Sequence, residues 1–109
     1  MLPSVDVREY LSREGRSSYA TWFDALNAPA AAKVASAVVR LSNGNFSNVE
    51  GVGSGVYEYK VNFGPGYRIY FGRDGGRLVI LLGGGSKKRQ SADIKNAIAR
   101  WQDYKLRKR

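Results

Sequence analysis

The chain has 109 residues, no cysteine, no histidine, and 18 lysines and arginines against nine acids, a formal net charge of +9. That length suits one domain able to bury roughly two-thirds of its unfolded surface, and a composition 43% hydrophobic with 12% aromatics argues against global disorder. Without cysteine or histidine, disulfides, thiol nucleophiles, serine–histidine triads, imidazole-based ribonucleases and the common zinc sites are excluded.

The chain starts "MLPSVDVREYLSREGR", with Asp6, Arg8 and Glu9 where a signal peptide needs an apolar core. No apolar run approaches a membrane span, so the expectation is a soluble, cytoplasmic protein without a membrane partner. Alternation over Val5 to Leu11 predicts a short edge strand. Ser17 or Ser18 can cap a helix carrying Tyr19, Trp22, Phe23 and Leu26 at i, i+3, i+4, i+7 spacing, a core-facing stripe. Pro29 suits the first turn of a second helix, Ala30 to Leu41, antiparallel to the first. Asn43 to Gly55 reads as a glycine- and asparagine-rich loop. Its "GVGSG" lacks the glycine spacing of a dinucleotide fingerprint.

From Val56 the period changes to two. "VYEYKVNF" sends Tyr57, Tyr59, Val61 and Phe63 to a core face, and Glu58, Lys60 and Asn62 to the other. Taking Gly64 to Gly66 as a three-residue turn pairs Val61 with Ile69 and Tyr59 with Phe71, and places Lys60 beside Tyr70 and Asn62 beside Arg68. After Asp74, Gly75 and Gly76, "RLVILL" reads as a central strand, with Phe71 opposite Val79 and Arg68 opposite Leu82. A helix from about Ser91 follows, with Ile94, Ala97, Ile98 and Trp101 as its stripe and a basic outer face and tail. One domain, residues 1–109, accounts for the whole pattern.

Charge is unevenly spread. Residues 1–59 carry five basic and six acidic side chains and residues 60–109 thirteen and three, so the halves are −1 and +10. A polyanion or an acidic protein is the partner this suggests for the second half. The acids are too scattered for a two-metal nuclease, and "GGGSKK" is not a phosphate-binding P-loop, so neither metal nor cofactor is expected. What remains is a cluster of Glu58, Lys60, Arg68 and Tyr70 on one face, with Lys87, Lys88 and Arg89 arriving at its edge. Such a set can cleave RNA by internal transfer. A base takes the 2′-OH proton, cations stabilise the pentacoordinate phosphate, and an acid protonates the leaving 5′ oxygen. Glu58 or a lysine would be the base, Arg68 the phosphate grip, and Lys87 or Lys88 the clamp or acid, with Tyr70, Arg89, Lys95 and Arg100 as RNA-binding surface. The same residues also read as solvated strand and loop positions. Arg68 resists that reading, because an unpaired guanidinium among apolar neighbours is costly.

The stretch from Trp22 to Tyr104, above all "GVYEYKVNFGPGYRIYF" and "LLGGGSKKRQSADIKNA", resembles the RelE/ParE toxin superfamily of bacterial toxin–antitoxin modules, specifically its HigB-like, phage-derived addiction-module-killer branch. The resemblance implies an α+β fold in which an N-terminal strand and two helices pack on an antiparallel sheet, followed by a C-terminal helix. It also implies a ribosome-dependent endoribonuclease that cuts mRNA without a metal and is inhibited by a cognate antitoxin, in this branch one with a helix-turn-helix DNA-binding domain. By position, Arg68 matches the family's phosphate-binding arginine and Lys60 a basic residue on the preceding strand. Lys87, Lys88 and Arg89 lie where the family has basic residues after the last strand. Glu58 departs from the lysine-rich RelE pattern, though other members place an acidic base in this sheet. Asp93 and Ile94 occupy the region of the RelE catalytic tyrosine. Two alternatives stand beside the nuclease: a ParE-type DNA gyrase inhibitor, and a noncatalytic basic module that binds nucleic acid through the tail Lys105 to Arg109.

Overall fold

The computed structural model describes residues 4–108; Arg109 of the basic tail lies outside them. Its elements in chain order are β1 (Asp6–Glu9), α1 (Ser18–Asp24), α2 (Ala28–Ser42), β2 (Val49–Gly53), β3 (Val56–Val61), β4 (Tyr67–Arg73), β5 (Leu78–Ser86), a 3-10 turn (Lys87–Arg89) and α3 (Gln90–Arg107). The five strands form one sheet in the order β1-β5-β4-β3-β2. Strands β2 to β5 form the expected antiparallel sheet, and the N-terminal strand β1 joins its edge parallel to β5, which makes the whole sheet mixed.

Both early helices start where side chains replace missing backbone partners. Ser17 Oγ accepts from the Ala20 amide at 3.0 Å and Asn27 Oδ1 from the Ala30 amide at 2.9 Å, each satisfying a donor that the first helical turn leaves open. Pro29 lies in the first turn of α2. The helix pair covers one face of the sheet. There Tyr19, Ala30, Val34, Ala37 and Leu41 meet Tyr59, Val61, Ile69, Phe71, Val79 and Leu81 in the larger core. Each large aliphatic or aromatic side chain enclosed there contributes about 1.5–3 kcal/mol of transfer free energy.

The opposite face is covered by α3. Ala97 and Trp101 pack on Tyr10, Val56, Tyr70, Ile80 and Leu82. Aromatic and ionic contacts latch the end of this helix. Trp101 stacks on Tyr104 at 5.2 Å between centroids; Tyr10 Oη donates to Asp103 at 2.6 Å and Tyr104 Oη to Asp74 at 2.8 Å. Arg107 bonds the Leu11 carbonyl and Lys108 pairs with Asp74. Arg107 and Lys108 thus tie the C-terminal helix to the sheet, so a tail that acts only as a free basic arm is not what the fold builds. Among the described residues no helix is long and apolar enough to cross a membrane.

Three expectations are corrected. The Asn43–Gly55 segment contains the edge strand β2, joined to β3 by Ser54 and Gly55, both at positive φ (55° and 82°), as a tight two-residue hairpin requires. The β3–β4 register is displaced by two: Val61 lies opposite Tyr67, Lys60 opposite Arg68 and Glu58 opposite Tyr70, because Asn62 and Phe63 join the turn. Finally, β5 continues through the three glycines to Ser86, putting Arg68 opposite Gly85 and Phe71 opposite Leu81, with a bulge between Tyr70 and Phe71.

Candidate nucleic-acid interface

Alternation along β3 and β4 places Glu58, Lys60, Arg68 and Tyr70 on the face that α3 covers. At the end where the hairpin turn meets the exit of β5, the site is therefore partly roofed. Glu58 is 2% and Arg68 8% exposed. Arg68 Nε faces Glu58 Oε2 at 3.6 Å, and its Nη1 donates to the Tyr67 carbonyl at 3.2 Å. Gln90 of α3 donates to Glu58 Oε1 at 2.9 Å. A guanidinium buried this far needs a counter-charge, and Glu58 is that charge. The carboxylate is consequently held by Arg68 and Gln90 and is not presented to solvent as a free base.

Tyr70 is fully buried, so it offers no ring for an RNA base to stack on, contrary to the expectation from sequence. Its hydroxyl, Arg68 Nε and Asp93 Oδ2 are buried polar atoms without a hydrogen-bond partner among the described residues, Nε having only its longer ionic contact to Glu58. Asp93 reaches this chamber by lying over Gly85, where an added Cβ would come within 1.9 Å of Oδ2. Burial, reinforced by the charges of Glu58 and Asp93 and opposed by Arg68, pushes the Tyr70 phenol up to about 12; burial and Glu9 do the same for Tyr19. Each phenol keeps its proton in the folded state at a pH where the unfolded one, near 10.0, has lost it. Stability is therefore complete below that value and falls as pH rises from about 10 towards 12. Spectrophotometric titration should show Tyr19 and Tyr70 ionising last, together with alkaline unfolding; a Tyr70→Phe variant should lose part of that alkaline sensitivity.

The accessible cations lie around the buried pair. Lys60 is partly exposed and its Nζ pairs with Glu50 of β2 at 3.0 Å. Lys87, Lys88 and Arg89 are exposed on the 3-10 turn and line an open cleft with Gln90, Ser91 and Ala92. The Lys87 amide donates to the Gly66 carbonyl at 2.9 Å, tying the strand exit to the hairpin turn. Gly66 has φ +83°, and a Cβ there would sit 3.6 Å from Lys87 Cβ and 3.8 Å from Arg68 Nη1. Arg68 Nη1 and Lys87 Cβ thus flank the same space beside Gly66, whose positive φ is what calls for glycine at this turn. Lys95 is exposed farther along α3. Arg100 is occupied differently: its Nη1 donates to the Leu82 carbonyl at 3.1 Å, next to the bulge, so it serves the sheet and not an RNA surface.

The structure brings together Lys60, Arg68 and Lys87, rims them with Lys88 and Arg89, buries Glu58 and Tyr70, and leaves Lys95 and Arg100 outside the cluster. Sequence reasoning missed Gln90 and Asp93 as parts of it. Their signal was periodicity: positions 90, 93, 94, 97 and 101 share the inward face of α3, and polar residues heading an otherwise apolar stripe mark something polar beneath.

A mixed sheet between a helix pair and a long final helix, cationic where the central hairpin turns, defines the RelE-like α+β class. Residues 21–102 match the family model described as phage derived protein Gp49-like (DUF891). A relative from Haemophilus influenzae, described as an uncharacterized protein, is 41% identical over 81 residues, covering 73% of this chain and 82% of its own. The chain belongs to the Gp49-like family of phage-derived proteins, part of the RelE/HigB-like toxins and associated with toxin–antitoxin modules.

Proposed function

We propose that the protein is the toxin of a type II toxin–antitoxin module and acts as a ribosome-dependent endoribonuclease that cuts mRNA. The observation that carries this reading is the Arg68 guanidinium, fixed by Glu58 and the Tyr67 carbonyl beneath Gly66, with Lys87 at the same gap. In the reaction the 2′ oxygen attacks phosphorus, its proton leaves to a base, and the 5′ oxygen departs with a proton. Arg68 and Lys87 stabilise the charge on the non-bridging oxygens, as pre-aimed cations do most effectively. An ammonium of Lys60, Lys87 or Lys88 can protonate the 5′ oxygen directly; a lysine takes the 2′ proton only in its neutral form. Glu58 acts through Arg68 and is a positioning residue. The chemistry uses no bound metal, the charge being supplied by side chains. The natural inhibitor is a cognate antitoxin that covers this cationic end, carrying a helix-turn-helix domain, and the site of action is the cytoplasm.

One observation favours a second reading. Glu58 is closed off from solvent, and a ParE-type gyrase inhibitor needs cations without a base. The two separate in one comparison. Purified protein should cleave mRNA on programmed ribosomes and leave gyrase supercoiling unchanged; intact mRNA with trapped gyrase–DNA complexes would establish the inhibitor instead.

A further inference from the structure

Beside the hairpin end lies a groove that shares Lys60 with the cleavage cluster and otherwise lies outside it. β2 begins at Val49, opposite Tyr59, whereas β3 stays paired with β4 as far as Val61. The shorter edge strand leaves a step, and Asn62 and Phe63 overhang it. Two adjoining hollows fill the step, one of about 290 Å³ against β2 and one of about 260 Å³ against α2, and Asn48, Lys60 and Asn62 line both.

The α2 wall is cationic by helical spacing. Lys33, Ser36 and Arg40 recur at i, i+3 and i+7 and line the second hollow, while Val34, Ala37 and Leu41 turn into the core. Lys33 and Arg40 are about 10 Å apart along the axis, far enough to meet different phosphates. Lys33 Nζ lies 5.7 Å from the centroid of the Phe63 ring. The groove therefore combines three kinds of lining: cations at Lys33, Arg40 and Lys60, amides at Asn48 and Asn62, and an aromatic ring at Phe63. A single nucleic-acid strand uses all three, since phosphates need positive charge, base edges need donors and acceptors, and base faces need a ring. An acidic protein segment lacks the regular repeat of anionic phosphate and aromatic base that this lining matches.

We propose that this groove is a binding track for single-stranded RNA, leading from Lys60 at the cleavage end to Lys33 and Arg40. It rests on RNA being the substrate, and assigns the part of the strand next to the cut. Glu50 works against it: its carboxylate occupies Lys60 at 3.0 Å and must yield to a phosphate. Removing that carboxylate should therefore strengthen binding, while reversing the α2 charges should weaken it.

The probe is a fluorescein-labelled, 2′-O-methyl single-stranded RNA, which cannot be cut by internal transfer, read by fluorescence anisotropy across a salt series. Lys33→Glu with Arg40→Glu should weaken binding about tenfold and flatten the slope of log affinity against log salt by about 1.4, the value for two contacts on a single strand. Glu50→Gln should tighten binding several-fold. All three side chains are on exposed residues, and thermal unfolding confirms that the variants fold. The proposal is overturned if the wild-type protein does not bind the probe, if the double variant binds it with unchanged affinity and slope, or if the double substitution abolishes binding of poly-glutamate but not of RNA. Cleavage on ribosomes separates this from the parent reading: RNA bound through the groove without mRNA cleavage defeats the nuclease alone, and normal cleavage with unchanged RNA binding after Lys33 and Arg40 are reversed defeats the track alone.

Discussion

Arg68→Ala should lose mRNA cleavage by about a hundredfold, the scale of removing one charge-stabilising donor, and at the same time destabilise the protein by about 3–5 kcal/mol, the usual cost of breaking a buried ion pair from one side. The stability loss follows from what stays behind. Glu58, 2% exposed, would keep only the Gln90 amide at 2.9 Å as a partner. The two effects can be separated, because a buried pair replaced on both sides by neutral groups of similar size is often no less stable than the pair. Arg68→Met with Glu58→Gln should therefore regain most of the unfolding free energy in urea while cleavage stays lost. If the double variant recovered cleavage as well, Arg68 would be a structural residue and the phosphate grip would lie with the lysines. Glu58→Gln alone should lower kcat more than it raises KM, since it loosens a group that acts on the transition state.

How much of this was legible in the chain depends on what local pattern can encode. The helices were, because Ser17, Asn27 and Pro29 punctuate stripes at helical spacing. So was the face shared by Glu58, Lys60, Arg68 and Tyr70, because a strand alternates whatever its neighbour does. The partners were not: a slip of one residue would mix apolar and charged positions, but a slip of two preserves every face, and the pattern could not decide whether Asn62 and Phe63 belonged to strand or turn. β2 was hidden by glycines at 51 and 53 that give an exposed edge strand no alternation, although Ser54–Gly55 carried a turn signal. The exposure of the cationic face was misjudged for a longer-range reason. Whether Arg68 and Tyr70 see solvent depends on where α3 lies, and α3 crosses over strands far from it in sequence. Charge clusters survive that uncertainty when they sit in turns, which is why Lys87, Lys88 and Arg89 are exposed as expected and Tyr70 is not.

The position of α3, and with it the roof over Glu58, rests on missing side chains, and Gly72→Ala should be among the most damaging single-methyl additions in the protein. A Cβ at Gly72 would lie 2.3 Å from Cε3 of Trp101, and one at Gly84 would lie 2.3 Å from Cε3 of Trp22. Neither contact can be kept. The atoms met belong to rigid indole rings, not to the ends of flexible chains, and both rings are wedged between the sheet and the core contacts of their own helices. The methyl must push a helix outward or drive the indole off its rotamer, at about 1–3 kcal/mol for each substitution. Gly72 lies opposite Ile80, four residues along β5 from Gly84, or roughly 13 Å, and the two tryptophans occupy opposite faces. The effects should therefore add, and Trp101→Phe should recover part of the loss from Gly72→Ala but none of that from Gly84→Ala. Only Gly72→Ala should disturb the site, because α3 carries Gln90 and Asp93 to Glu58 and the sheet. Lifting the helix weakens the grip on Glu58 and, through it, on Arg68. Urea unfolding should show both glycine variants destabilised, whereas cleavage per folded molecule should fall for Gly72→Ala and hold for Gly84→Ala; equal losses would mean that Arg68 is aligned without the helix above it.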